Sequence, residues 1–229
     1  MTSLFHRQSS FNHRVLPAPA GTHPGEENKM MQIYGDLASG NCLKVKYIAD
    51  AIGQPYVWHD VIARTGATAT PEFLALNPAG QVPVVVLDDG RPLAQSNAIL
   101  RYLALGSRFI PSDAYEAAKV DEWLFWEQYS HEPTVAVARS RIRYNGQTFA
   151  TLDADLVARA NKALDRLEQA LAGSTFLVGN TMSIADIALL AYTRLAPEAG
   201  FDLSGRPALL RWIAACEQEL ELPAVTAAN

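Results

Sequence analysis

The fold is decided by the stretch Gln32-Ile-Tyr-Gly-Asp-Leu-Ala-Ser-Gly-Asn-Cys-Leu-Lys-Val-Lys-Tyr-Ile-Ala-Asp-Ala-Ile-Gly53. Its first four residues predict a short strand. Apolar side chains then recur at helical spacing up to the stop at Gly53, namely Leu43, Tyr47, Ile48 and Ile52. A second strand is predicted from Tyr56 to Ile62. Strand, helix and strand joined this closely predict a right-handed crossover and a parallel pair.

The sequence after this unit continues the same α/β pattern. A short helix is predicted around Pro71 to Leu76, and a strand is predicted from Val82 to Leu87. Because Asp88-Asp-Gly90 is typical of a hairpin turn, Arg91 to Ala94 is expected to return antiparallel to that strand. Ser96 is then expected to cap a third helix. The predicted order is βαβαββα.

The second half of the chain reads as purely helical. The β pattern ends at Gly106, and Pro111-Ser-Asp113 indicates a linker. Pro133 and the Asn145-Gly146 pair are expected to interrupt helices. An apolar stripe and two capping boxes indicate packed helices, the stripe at Leu152, Leu156, Ala160, Leu164, Leu167 and Leu171 and the boxes at Asp113 with Glu116 and Ser183 with Asp186. We expect an α/β domain over residues 31–107 and an all-α helical bundle over residues 112–229.

The first thirty residues differ from the rest. They contain several prolines, serines and histidines and no acidic residue before Glu26, so residues 1–30 are interpreted as a disordered tail. Arg7, Arg14 and the serines also suggest an organelle transit peptide. The simpler interpretation is an over-extended start, with Met30 or Met31 as the true beginning.

Composition excludes several classes of function. The formal net charge of -5 gives no electrostatic reason for binding nucleic acid or an anionic membrane. Two cysteines, Cys42 and Cys216, are too few for a disulfide scaffold and lack the spacing of a zinc site, so no metal is expected. No apolar run approaches the roughly 20 residues that cross a bilayer. A soluble protein in the reducing cytoplasm is the expectation.

The turn Ser39-Gly-Asn-Cys42 lies between the first strand and the first helix. Unpaired N–H groups and the positive helix end favour an anion there. A serine hydroxyl forms no disulfide, but it can donate a hydrogen bond to a sulfur that belongs to a substrate. Taken alone, Ser39 fits a plain N-cap better than a catalytic residue.

Two further features are individually weak. Val82-Pro83 opens a strand, where a cis bond would present the backbone of Val82 to an extended peptide ligand. The ordinary interpretation is the start of an edge strand. Gln95-Ser96 places an amide and a hydroxyl at another helix N-terminus, where backbone donors can hold a carboxylate or the residues can simply cap the helix.

Taken in order, the Ser39 turn, Val82-Pro83 and Gln95-Ser96 resemble the serine-type, bacterial-like members of the cytosolic glutathione S-transferase family. The similarity runs from about Met31 to the C-terminus and includes the motifs Asn97-Ala-Ile-Leu-Arg-Tyr102 and Gly179-x-x-x-Ser183-Ile-Ala-Asp186. The resemblance implies a thioredoxin-like domain followed by an all-helical domain, in a homodimer. It also implies glutathione as co-substrate, with Ser39 as the catalytic residue.

The resemblance assigns the remaining glutathione contacts residue by residue. The backbone of Val82 matches the contact to the cysteinyl part, and Gln95 and Ser96 match the contacts to the γ-glutamyl part. Gln81 approaches the glycyl end, unless its side chain faces solvent. The sequence departs from the family at Asn41, where many members carry proline, and Asn41 either assists the thiol or only shapes the loop.

Other residues remain candidates by the same comparison. Cys42 is the rival to Ser39, because some bacterial members use cysteine at this turn as disulfide reductases, whereas its place in the first helical turn suits a buried structural cysteine. The second domain is expected to face the electrophile with Trp126, Tyr129, His131 and Tyr144, although a lone histidine is commonly structural. Arg139, Arg141 and Arg143 are interpreted as solvated charge.

The leading hypothesis is therefore a glutathione transferase that moves the glutathionyl group to an alkyl or aryl carbon of a small hydrophobic electrophile. The first alternative is a thiol-disulfide reductase or peroxidase acting through Cys42. The second is a non-catalytic binding or assembly protein with the same fold. The sequence does not specify the electrophile, so detoxification and a dedicated metabolic step both stay open.

Overall fold

The computed structural model describes residues 30–224 and begins with a strand-helix-strand unit. Strand β1 is Met31–Gly35, helix α1 is Gly40–Ala51 and strand β2 is Tyr56–Asp60. The strands are parallel, with Gly35 opposite Asp60, as predicted. β2 ends two residues earlier than expected: the Val61 N–H still donates to the Gly35 carbonyl at 2.9 Å, and the chain then turns into a short 3-10 helix, Ala63–Thr65. The predicted tail, residues 1–29, lies outside the described residues.

The rest of the first domain completes a four-stranded sheet. Helix α2 is Pro71–Leu76, strand β3 is Val84–Val86, strand β4 is Pro92–Ala94 and helix α3 is Ser96–Leu103. The sheet order is β2-β1-β3-β4, and β3 is antiparallel to both of its neighbours. The predicted order βαβαββα is confirmed, and the domain has the thioredoxin-like fold. β3 is shorter than the expected Val82 to Leu87.

The start of α3 differs from the prediction. Gln95, not Ser96, occupies the N-cap position, and its φ of 69° lies in the left-handed region. Ser96 is the first helical residue, and its hydroxyl donates to Asn41 Oδ1 at 3.1 Å. The Ser96 hydroxyl therefore links α3 to α1 and does not cap its own helix. A non-glycine residue with such a φ is uncommon and is typical of functional sites.

The second domain is entirely helical. Its helices are α4 Ala114–Trp126, α5 Val137–Asn145, α6 Ala154–Ala170, α7 Ile184–Thr193 and α8 Pro207–Glu219. The predicted break at Pro133 is wrong: the π-helical segment Glu127–Ala136 joins α4 to α5 without interruption. The wider π turn accommodates the proline ring inside the helix. Gly146 ends α5 as expected, with a φ of 67°.

The core lies around α7, in which all ten residues are buried. The predicted apolar stripe along α6 is buried in the same cluster and packs against the π-helical segment and α8, while α1 and α3 of the first domain contact α7. Hydrophobic burial therefore ties the start of α1 to the second domain. In the range 30–224 no helix has the length and hydropathy required to span a membrane.

Candidate active site

The Ser39 turn is shaped by Asp36 and not by the serine side chain. The Asp36 carboxylate accepts from the Ala38 N–H at 2.8 Å, and the Asp36 carbonyl accepts from the Ser39 N–H at 2.9 Å. Ser39 takes the N-cap position of α1 with extended φ and ψ of -91° and 121°, yet its hydroxyl makes no capping hydrogen bond. The hydroxyl is thus left available at the positive end of a twelve-residue helix.

Helix α7 packs directly against this turn. A Cβ atom on Gly40 would lie 2.7 Å from the Tyr192 ring, so only glycine permits this contact. The Tyr192 phenol lies beside the Ser39 side chain and the Asn41 N–H. Burial raises the pKa of Tyr192 to about 12, and the hydrogen bonds from these groups oppose that shift. Tyr192 therefore stays neutral and adds no charge beside Ser39.

Cys42 lies on the inner side of the same helical turn. Its side chain is fully buried. Burial raises the pKa of the Cys42 thiol to about 11, although hydrogen bonds from the Asp36 backbone and the Ser39 side chain oppose the shift. At neutral pH the group is a thiol and not the nucleophilic thiolate.

Asn41 joins the Ser39 turn to the start of α3 and to the second domain. Its side-chain oxygen accepts from the Ser96 hydroxyl, and its Nδ2 donates to Glu132 at 3.5 Å. Burial raises the pKa of Glu132, and the charge of Glu127 adds to the shift. The predicted sites at Ser39, Asn41 and Ser96 therefore lie together, with Gln95 exposed next to them.

Val82 lies on the other side of the turn. The Val82-Pro83 peptide bond is cis. Because Tyr34 of β1 pairs with Val84 of β3, Val82 lies just beyond the end of β1, where the Ser39 turn begins. The Gln81 carbonyl accepts from Asn77 Nδ2 at 2.7 Å, and the Gln81 side chain is exposed.

Arg139 is a residue that the sequence interpretation placed wrongly. It is buried, with 5% of its surface exposed, and its guanidinium donates to the Ala38 carbonyl at 2.8 Å. It also binds Glu198 with nitrogen–oxygen distances of 2.7 and 2.8 Å. Arg143, one turn later, shares Glu198 at 3.4 Å, so these two arginines lie on one face of α5. Arg139, which lies in the second domain, thus fixes the backbone just before Ser39 by hydrogen bonding to the Ala38 carbonyl.

The four predicted acceptor-pocket residues do not line one pocket. Trp126 and Tyr129 border a groove of about 860 Å³ between the π-helical segment and α6. His131 is fully buried, and its Nε2 lies 2.9 Å from the Thr193 hydroxyl. Tyr144 lies at the end of α5, where its hydroxyl accepts from Arg143 Nε at 3.2 Å.

A buried ion pair fixes the two domains behind the site. Lys44 of α1 and Glu127 of the π-helical segment are both fully buried, with Nζ and Oε1 2.8 Å apart. Asn97 of α3 donates to the other oxygen of Glu127 at 3.1 Å. Burial lowers the pKa of Lys44, and Glu127 opposes that shift. Asn97 belongs to the motif that the sequence resemblance singled out, which gives that motif a structural reason.

Comparison with known proteins identifies the architecture. The family model described as "Glutathione S-transferase, N-terminal domain" matches residues 38–105, and "Glutathione S-transferase, C-terminal domain" matches residues 126–219. The two matches cover more than half of the chain. The chain belongs to the glutathione S-transferase family. Both matches fall within the two parts that the fold distinguishes.

Individual family members agree with this assignment. Glutathione S-transferase 3 of Zea mays is 31% identical over 194 residues, which are 80% of this chain and 86% of that protein. The crystal structure of a glutathione S-transferase from Pseudomonas fluorescens superposes with a TM-score of 0.80 at 43% identity, covering 86% of this chain and all of that one. Elongation factor 1-gamma of Prunus avium is 31% identical over 52% of this chain. Membership in the family therefore does not by itself specify catalysis.

Proposed function

We propose that this protein is a glutathione transferase in which Ser39 stabilises the thiolate of bound glutathione. The observation that carries the proposal is the Ser39 hydroxyl, which sits at the start of α1 and takes no part in capping the helix. In the reaction the thiol proton leaves to solvent, the sulfur forms a bond to an electrophilic carbon, and the leaving group departs. The second domain supplies the surface for the electrophile.

The energetics of this arrangement are sufficient. Lowering a thiol pKa by two units requires about 2.7 kcal/mol of preferential thiolate stabilisation. A hydrogen bond to a charged group contributes ~1.5–3 kcal/mol, and a helix N-terminus contributes ~0.3–1 kcal/mol. Arg139 supports this effect indirectly, because it fixes the carbonyl of Ala38 and so the direction of the turn.

Glutathione is proposed to lie extended across the sheet end of the first domain. Its γ-glutamyl carboxylate would meet Gln95, Ser96 and the N–H groups at the start of α3. The backbone of Val82 would pair with the cysteinyl part, as an added strand does. Gln81, exposed just before it, is placed toward the glycyl end. This path puts the sulfur at the Ser39 turn.

A test separates Ser39 from Cys42. We expect Ser39→Ala to lower turnover with an aryl halide by about 10- to 100-fold, since a hydrogen bond of ~1.5–3 kcal/mol to the thiolate is removed while the helix N-terminus remains. Cys42→Ala is the matched control, and it should retain activity because the thiol is buried and protonated. The proposal would be contradicted if Cys42→Ala lost activity while Ser39→Ala kept it. A mixed disulfide between Cys42 and glutathione, seen by mass spectrometry of the wild-type protein, would then support a reductase.

A non-catalytic binding role is the second candidate, favoured by the similarity to elongation factor 1-gamma. It is separated from the transferase by measurement of rates with glutathione against electrophiles, peroxides and mixed disulfides. Turnover of the electrophiles, and not of the peroxides or mixed disulfides, supports the transferase. Flat rates together with no heat of glutathione binding in calorimetry would support the binding protein.

We also propose a homodimer in the cytoplasm. Three aromatic side chains of the helix that runs from α4 into the π-helical segment are exposed, Tyr115, Phe125 and Tyr129, the last by 87%. Exposed aromatic surface of this kind is typical of an interface. Sedimentation should give twice the mass of the chain, and Phe125→Glu should shift the protein toward the monomer. A wild-type monomer at micromolar concentration would contradict the dimer.

A further inference from the structure

Two arginines from different domains flank one exposed tyrosine at the edge of the site. The guanidinium of Arg64, in the loop after β2, lies 5.7 Å from the centre of the Tyr144 ring. The guanidinium of Arg143 lies at the same 5.7 Å, and its Nε donates to the Tyr144 hydroxyl at 3.2 Å. Both distances are within the range of cation–π attraction. We call these three residues the Arg64–Tyr144–Arg143 cluster.

The topology places this cluster next to the Ser39 turn. β1 and β2 are parallel, so the loops at their carboxyl ends, which carry Ser39 and Arg64, leave the same edge of the sheet. On the other side, Arg143 follows Arg139 by one helical turn, about 6 Å along α5, and Arg139 is bonded to the carbonyl of Ala38. The cluster therefore flanks the place where an acceptor must approach the glutathione sulfur.

The positive charge of the cluster is only partly neutralised. Glu198 is the acidic residue that contacts it, and Glu198 is held more closely by the buried Arg139 at 2.7 Å than by Arg143 at 3.4 Å. Arg64 forms no salt bridge with any residue between 30 and 224. Arg64, Arg143 and Tyr144 are all exposed. Exposed guanidinium groups beside an aromatic face suit a planar ligand with a carboxylate.

We propose that the acceptor substrates of this protein are aromatic electrophiles that carry a carboxylate or a similar anionic group. The ring of the substrate packs near Tyr144, and its anionic group pairs with Arg64 and Arg143. This inference rests on the proposed transferase function and specifies its substrate class. In the reaction the glutathione sulfur adds to the carbon that bears a halide, chloride leaves, and the thiol proton is released.

The experiment compares two probes of matched shape, 4-chloro-3-nitrobenzoate and 4-chloro-3-nitrobenzamide. Each kcat/KM is divided by the uncatalysed rate constant for the same compound, and the ratio of the two quotients measures anion preference. We expect the wild-type protein to favour the benzoate and the preference to weaken with added salt. An exposed ion pair of ~0.2–1 kcal/mol corresponds to as much as about fivefold. Each of Arg64→Gln and Arg143→Gln should therefore lower the ratio by up to about fivefold, and the double variant should lower it by more than either single variant.

Arg211→Gln is the matched control, because Arg211 is an exposed arginine on α8 and belongs to no part of the site. It should leave the ratio unchanged. A wild-type ratio near one, or a ratio that the double variant does not change, overturns the inference, while turnover of the benzamide still upholds the transferase. If the variants raise the KM for glutathione and not for the benzoate, the arginines serve glutathione and the inference is wrong. If neither probe is turned over, the inference is wrong, and the transferase is then judged by the panel of electrophiles used to test the proposed function.

Discussion

Two serines occupy N-cap positions within residues 30–224, Ser39 and Ser183, and they are used in opposite ways. Ser183, at the start of α7, is buried, and its hydroxyl accepts from the Ala185 N–H at 3.2 Å. Its N–H and hydroxyl donate to Asp186 at 2.9 and 3.1 Å. Ser39, at the start of α1, has neither a capping hydrogen bond nor an acidic residue in the first helical turn. The same residue type is a structural cap at one helix start and an available donor at the other.

The surroundings of the two serines extend this contrast. Asp186 also accepts from the Leu177 N–H at 2.9 Å and from Trp212 Nε1 at 2.8 Å, so one carboxylate joins a loop, α7 and α8. The Ser39 turn is instead shaped by Asp36 and Arg139, and the Ser39 hydroxyl takes no part in capping. A helix start whose polar groups are all satisfied contributes stability, and one with a spare donor beside a helix dipole suits an anionic ligand.

The largest expected effect is at Asp186. Asp186→Ala leaves several buried donors without an acceptor, each costing ~1–3 kcal/mol, so we expect the free energy of unfolding to fall by about 3–5 kcal/mol. Urea denaturation measures this change. Asp202→Ala is the control, since Asp202 caps the exposed Ser204 turn and should cost under about 1 kcal/mol. Equal losses in the two variants would contradict the contrast between the two serines.

A second prediction concerns the pH dependence of stability that comes from His131, which contacts the C-terminal end of α7. Burial lowers the pKa of His131, which bonds to Thr193, to about 4 from its usual 6.5. In the unfolded chain His131 binds a proton below about pH 6.5, whereas in the folded protein it binds one only below about pH 4. Falling pH favours the unfolded state across this window, by about 3 kcal/mol in total.

Urea titrations at several pH values measure the loss of stability from His131. His131→Asn should remove most of the dependence between pH 6.5 and 4 while leaving the dependence above pH 7 unchanged. The same slope in both proteins would show that His131 is protonated in the folded state, and would contradict its assignment to the closed interior around α7.

The smallest effects are at the two serines themselves. Ser183→Ala removes one cap, so we expect a loss of about 1–2 kcal/mol in the free energy of unfolding and no change in turnover per folded molecule. Ser39→Ala should change stability by less than about 0.5 kcal/mol, because no capping bond is lost. If both substitutions destabilise the protein equally, Ser39 is a cap like Ser183 and the contrast fails.

Local pattern was enough to predict most elements of the fold. The spacing of Leu43, Tyr47 and Ile48 predicted α1, and the Asp88-Asp-Gly90 turn predicted the β3–β4 hairpin. These signals work because helix periodicity and turn preference act over a few residues. Pro133 was misjudged by the same reasoning, since nothing local reveals the π-helical segment that accommodates it.

The parts of the site that escaped prediction depend on distant residues. Arg139 contacts Ala38 across 101 positions, and Lys44 contacts Glu127 across 83. Both pairs form only when the two domains pack. The local sequence therefore gave no reason to expect a buried arginine in α5, and Arg139 was interpreted as solvated charge. The resemblance to a known family supplied Ser39 and Ser96 as candidates, and the structure shows that Asn41 joins their two helices.

The central claim is that the Ser39 hydroxyl stabilises the thiolate of bound glutathione. The most direct test follows the thiolate by its ultraviolet absorbance while the pH is varied, in the wild-type complex and in Ser39→Ala. We predict that the substitution raises the pKa of the bound thiol by about one to two pH units, because a hydrogen bond of ~1.5–3 kcal/mol to the thiolate is lost. Glutathione affinity should stay within about threefold at a pH where the bound thiol is protonated in both proteins. An unchanged thiol pKa in Ser39→Ala would contradict the account.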